Sequence, residues 1–251
     1  MVSGAQLHKR ERAGVPSGFG KVSDMSVAVV IGSTGGIGGA LMAAVSSDGR
    51  YSRVLGFARE SRPSIDLTDE PSIEGAARTL GDLGDLRLVI DATGILSDES
   101  IHPEKALRLL DPAAMARSYA VNAIGPALLM KHFLPLLPRD GRSVFATLSA
   151  RVGSIADNRL GGWYSYRASK AALNQIVRTA AIELARTHPD AICVAVHPGT
   201  VDTKLSRPFA KRGLDVLSTE RAAKDLLNGL DALRPASSGG FFDRHGQAIQ
   251  W

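Results

Sequence analysis

Tyr166 and Lys170 stand four residues apart in Tyr164-Ser165-Tyr166-Arg167-Ala168-Ser169-Lys170, and the Ala-rich run 168–181 carries apolar residues at helical spacing. On a helix, positions i and i+4 share a face with Cβ atoms about 5–6 Å apart, so a phenol and an ammonium become neighbours. A free tyrosine titrates near pH 10, about 3 units too high for ready proton exchange at pH 7. Closing that gap takes about 4 kcal/mol of preference for phenolate, which one unit charge at about 4 Å supplies in an effective dielectric of about 20. Tyr166 is therefore a candidate acid/base, with Lys170 expected to lower its pKa. Tyr164, six residues from Lys170, faces elsewhere.

A second constellation lies near the start of the chain. Val27–Ile31 is a continuous apolar run, the pattern of a buried parallel strand. Gly32-Ser33-Thr34-Gly35-Gly36-Ile37-Gly38-Gly39 follows, and 40–45 reads as helix. Strand, glycine turn and helix start together present free N–H groups and a positive helix end to a phosphate. That puts Gly32, Ser33, Gly36, Ile37 and Gly38 against a nucleotide. The spacing matches neither G-x-G-x-x-G nor the P-loop.

The elements that must position these groups follow from the remaining pattern. A second strand, 53–58, runs into Arg59, with no acid before Glu60. A planar guanidinium there suits a 2′-phosphate, which favours NADP(H) over NAD(H). Ser64–Leu67 reads as a third strand; Asp66 and Leu67 end it, and Asp66 would bond the adenine amine. Leu86–Asp91 is a fourth, and Ala92-Thr93-Gly94 would pass beneath the cofactor. A long helical region begins at Pro112, its apolar face interrupted by Asn122, which needs buried partners or belongs to a proton path. Ser143–Ser149, Ala191–Val196 (running into His197-Pro198-Gly199) and Gly240–Asp243 are the fifth to seventh strands. Residues 155–163 form a loop into the Tyr166 helix. The stretch 200–218, with Lys204, Arg207, Lys211 and Arg212, is a lid over the site or a solvated basic loop. Strands alternate with helices throughout. The fold class is α/β, a Rossmann-type doubly wound parallel sheet of about seven strands with helices on both faces. It forms one domain over 25–251 behind an accessory arm, 1–24.

Composition narrows the function further. The formal charge of +5 comes without a basic stripe or interleaved aromatics, which argues against nucleic acid. The single cysteine, Cys193, allows no internal disulfide and reads as a buried strand thiol, so a reducing, cytoplasmic setting is expected. No apolar run approaches the ~18 residues of a membrane span. The six histidines show no zinc spacing, so no metal is expected.

Taken together, Gly32-x-x-x-Gly36-x-Gly38, Tyr166-x-x-x-Lys170, Asn122 and Pro198-Gly199 resemble the short-chain dehydrogenase/reductase family over residues 25–251. The stretches 149–174 and 239–251 are similar to its small carbonyl-reductase branch, which also holds C-signal-type proteins. The resemblance implies hydride exchange between NADPH and a small carbonyl or alcohol, with Tyr166 passing the proton. Lys170 would lower the phenol pKa and bind the nicotinamide ribose. Asn122 would hold a water linking Lys170 to solvent. Pro198, Gly199, Val201 and Thr203 would border the carboxamide, and a homodimer or homotetramer would form. A serine at the end of the fifth strand would bond the substrate oxygen. The family's usual register, three residues before a glycine, falls on Ala150, whereas counting from Asn122 selects Ser149, with Ser154 the other candidate. Asp91-Ala92-Thr93-Gly94 departs from the family's Asn-Asn-Ala-Gly. Two rival readings stay open: a nucleotide-binding signalling or regulatory protein with little turnover, and a methyltransferase, in which Tyr166 and Lys170 have no task.

Overall fold

The computed structural model of the protein describes residues 25–98, 101–209 and 216–251. The arm 1–24, and Lys211 and Arg212 of the expected lid, lie outside the described residues. The strands are β1 (Ser26–Ile31), β2 (Arg53–Phe57), β3 (Asp85–Asp91), β4 (Ser143–Leu148), β5 (Ala191–His197), β6 (Thr200–Val201), β7 (Val216–Leu217) and β8 (Phe241–Asp243). The helices are α1 (Gly36–Asp48), α2 (Glu70–Arg78), α3 (Pro112–Tyr119), α4 (Gly125–Phe133), α5 (Tyr164–Leu184) and α6 (Thr219–Ala232).

Six strands form one parallel sheet in the order β2-β1-β3-β4-β5-β8, and β6 pairs with β7 in a separate ribbon. β1 and β4 are buried at every position, as central strands covered on both faces must be. One face of the sheet packs Ile73 of α2, Leu129 and Phe133 of α4, and Leu173 and Val177 of α5. The other packs Leu41 and Val45 of α1 against Leu226 and Leu230 of α6. Each such side chain fully withdrawn from water contributes about 1.5–3 kcal/mol. The strand order reverses between β1 and β3, and at such a switch point a crevice opens beyond the strand carboxyl ends.

The strand expected at Ser64–Leu67 does not form, so the sheet has six strands rather than seven. Only residues 59–63 separate it from the expected strand 53–58, and a parallel crossover needs a dozen or more. The chain folds back instead, with the Ile65 N–H donating to Ala58 O at 2.9 Å. Ile65, Asp66 and Leu67 then line the cleft without joining the sheet.

Candidate active site

The turn from β1 to α1 is shaped by close approach. Gly32 has φ +80, and its N–H donates to Phe57 O at 2.7 Å. A β-carbon on Gly38 would fall 2.0 Å from Gly32 O, so only glycine lets the helix start so near the turn. A β-carbon on Gly36 would come within 3.0 Å of Thr203, which brings the 200–203 segment over the helix end. The N-cap, Gly35, offers no side-chain cap, and the first turn of α1 contains no acid. Its first N–H groups are therefore left without a side-chain cap or a local carboxylate, an arrangement suited to an anion. Ser33 packs beside Gly56 at the end of β2.

Beside this turn a cleft of about 380 Å³ is lined by Gly32, Arg59, Asp66, Leu67, Ala92 and Gly94, all expected at a nucleotide. Glu60 and Arg117, to which the sequence analysis gave no role, also line it. Glu60 accepts from Thr34 Oγ1 at 3.3 Å, and Arg117 pairs with Asp98 at 3.0 Å. Asp66 Oδ1 accepts from both Thr68 N (2.8 Å) and Thr68 Oγ1 (2.6 Å), which holds its carboxyl below the usual range. Asp91 ties the floor together, accepting from Thr147 Oγ1 at 2.7 Å and Thr93 Oγ1 at 2.5 Å. That is how the Asp-Ala-Thr-Gly departure is accommodated.

Beneath Gly94 lie Asn122 and Lys170. A β-carbon there would come within 3.4 Å of Asn122 Oδ1 and 3.5 Å of Lys170 Nζ. Asn122 is fully buried and clamps Ile95, accepting its N–H and donating to its carbonyl, each at 2.8 Å. It stands in a π-turn, Ala120–Ile124, between α3 and α4. Pro126 has no N–H, so the Asn122 carbonyl loses the donor an α-helix would give it. The sequence carried that signal four residues downstream.

Lys170 Nζ donates to Leu148 O at 2.8 Å, and burial lowers its pKa to about 8. Tyr166 is half-buried, and burial raises its phenol to about 12. The expected lowering by Lys170 is thus not met: desolvation of the phenolate is the one cause acting on the phenol, and it raises the pKa. Among the described residues the Tyr166 hydroxyl has no hydrogen-bond partner.

A second cavity of about 380 Å³ opens at Tyr166. Ile37, Ser149, Pro198, Gly199, Val201 and Thr203 line it, as expected. So do Trp163, His197 and Phe209, which the sequence reading left without a role. Ser149 is 4% exposed, and its hydroxyl donates to Asn174 Oδ1 at 2.7 Å. Ser154, the other candidate, is 1% exposed and accepts the Asp157 N–H. Burial, with Arg151 and Arg244 nearby, lowers His197 to about 4, so it stays neutral at pH 7.

The start of α5 is held from afar. Its N-cap is Trp163, in the left-handed region and without a capping side chain. The buried carboxylate of Glu104 replaces the cap, accepting from Ser165 N at 3.2 Å and from Ser165 Oγ.

A family model described as enoyl-(acyl carrier protein) reductase matches residues 42–227. The 1-hydroxy-2-glutathionyl-2-methyl-3-butene dehydrogenase of Rhodococcus sp. (strain AD45) is 31% identical over 240 residues, covering 90% of this chain and 100% of that protein. The C-signal of Myxococcus xanthus is 37% identical over 147 residues, covering 58% and 84% respectively. Among solved structures, an NADPH-bound carbonyl reductase from chicken fatty liver superposes with a TM-score of 0.79 at 24% identity, over 90% of this chain and 94% of that one. The carbonyl reductase Sniffer of D. melanogaster gives 0.77 at 21%, over 90% and 99%. At those identities the structures speak to the fold, while the family model and the full-length relative speak to descent: the chain belongs to the short-chain dehydrogenase/reductase family.

Proposed function

We propose that the protein is an NADP(H)-dependent oxidoreductase that interconverts a carbonyl and an alcohol, with Tyr166 as the proton donor and acceptor. The observation that carries this reading is a pair of clefts lined from the carboxyl ends of the strands: the glycine turn and Gly94 line the first, Tyr166 lines the second, and a β-carbon on Gly94 would fall 3.5 Å from Lys170 Nζ. The residues fit such a nucleotide: α1 offers uncapped N–H groups, and Gly94 leaves the path over Lys170 open. Gly32, Ser33, Gly36, Ile37 and Gly38 would hold the phosphates. Arg59 would hold the 2′-phosphate, and Asp66, Leu67 and Ala92 the adenine end. Pro198, Gly199, Val201 and Thr203 would hold the ring that supplies hydride when bound. Full-length similarity to a relative named as a dehydrogenase supports the reaction class.

A phenol held near 12 is fully protonated at neutral pH, the form needed to donate to a carbonyl oxygen. Lys170, charged below about pH 8, stabilises the phenolate left behind. Asn122, beside Lys170 under Gly94, would hold a water that returns the proton. Ser149 would steady the carbonyl oxygen, and α4 and α5 would carry a homo-oligomeric contact. NADPH oxidation by a panel of reactive carbonyls tests the reading; the expected activity disappears in Tyr166→Phe.

A second reading, a nucleotide-binding regulatory protein with little turnover, is favoured by one observation. The Ser149 hydroxyl donates to Asn174 Oδ1, which engages the proton that a substrate oxygen would need. NADPH binding without oxidation in the same assay selects it.

A further inference from the structure

We infer that Trp163 sets the substrate class of the second pocket, selecting a carbonyl attached to a planar aromatic ring; this deepens the reductase reading and rests on it. Among the described residues Trp163 alone, glycine aside, has a positive φ (φ 54, ψ 43). It follows Gly161 (φ 62) and Gly162 (φ 67), so three left-handed residues run consecutively. A bulky side chain at the third is strained. Glycine would meet that backbone freely; the position carries an indole instead.

The surroundings over-determine that indole. The Trp163 N–H donates to Glu104 O at 2.5 Å, and its carbonyl accepts from Arg167 N at 2.8 Å. The Arg167 guanidinium donates to Gly162 O (2.9 Å), Gly161 O (3.2 Å) and Val152 O (3.2 Å), which pins the turn to the pocket wall. So held, the indole meets the Tyr166 ring edge-on, with centroids 6.3 Å apart at 72°, and the Phe209 ring at 5.4 Å and 68°. All three rings line one cavity of about 380 Å³, with Leu96 and Val152 beside them. A planar ring entering it gains edge-to-face contacts that a saturated ring of equal size cannot make.

The test compares acetophenone with cyclohexyl methyl ketone as NADPH-dependent substrates of the native protein and of Trp163→Gly, a variant that also relieves the strained φ. The expected result is a roughly three- to tenfold fall in kcat/KM for acetophenone relative to the saturated ketone, carried by KM, with an unchanged far-UV spectrum. Equal losses on both ketones, or a loss in kcat alone, overturn the inference. Binding is read separately by fluorescence, because the chain has two tryptophans, Trp163 and Trp251. In Trp251→Phe, saturable quenching by acetophenone supports the inference and purely collisional quenching overturns it. Saturable quenching without NADPH oxidation would sink the reductase reading and leave the aromatic site standing.

Discussion

The Ser149 hydroxyl lies 2.7 Å from Asn174 Oδ1, and both side chains are buried. A hydroxyl has one proton, and here it goes to the amide, while Asn174 Nδ2 is buried without a partner among the described residues. Turning the amide end for end would make Nδ2 the donor to Oγ and release the serine proton toward the pocket.

Asn174→Asp separates these orientations, since an ionised carboxylate only accepts. If Ser149 donates to substrate, kcat at pH 7 falls by roughly tenfold or more and recovers at low pH as the carboxyl gains a proton. A pH–rate profile of the variant beside the native protein checks this. A loss that does not vary with pH removes Ser149 from the mechanism.

Carbonyl reduction should decline as pH rises through about 8. Burial depresses Lys170, so its ammonium is present below that value and lost above it. Tyr166, near 12, keeps its proton throughout this range. Lys170→Met should abolish that descending limb together with most of the activity. Tyr166→Phe should cost roughly 10²–10⁴ in kcat while sparing NADPH affinity, read by fluorescence titration.

Arg59 is the exposed cation at the end of β2, with Glu60 beside it. Arg59→Ala should weaken NADPH binding by about tenfold, the scale of one charge-assisted hydrogen bond, and leave NADH binding unchanged. Parallel titrations with the two nucleotides decide it. Equal effects on both would return Arg59 to the solvent.

Gly38→Ala would drive a methyl group into Gly32 O. The turn must open, costing about 1–3 kcal/mol of stability by urea unfolding and most of the nucleotide affinity.

Glu104→Ala would leave the Ser165 N–H and hydroxyl, at the start of α5, without their carboxylate. A loss of about 1–3 kcal/mol is expected, with kcat falling further because Tyr166 stands in that first turn. Thermal melts and steady-state rates measure the two effects separately.

Much of this was legible in the residues. Val27–Ile31 and Ala191–Val196 read as buried strands because apolar, β-branched runs suit no exposed element, and both are buried. The glycine turn and the pocket-lining Pro198-Gly199 were found by their places at strand ends. Ser64–Leu67 misled because its composition is strand-like, whereas pairing depends on the length of the connection. Pro126 is the local signal for the π-turn at Asn122, because it lacks the N–H that an α-helix would aim at the Asn122 carbonyl. Glu104 gave no signal, since its partner Ser165 is 61 residues away.

The sequence by itself determined which groups share a helix face: Tyr166 and Lys170 are neighbours because 3.6 residues make a turn, whatever surrounds them. Tertiary structure decided what those groups are. Whether the phenol sits low or at about 12 depends on how much water the surrounding segments exclude. Where the Ser149 proton points depends on an amide 25 residues on. Both are balances of desolvation against charge and hydrogen bonding, and atoms brought together from distant parts of the chain set them.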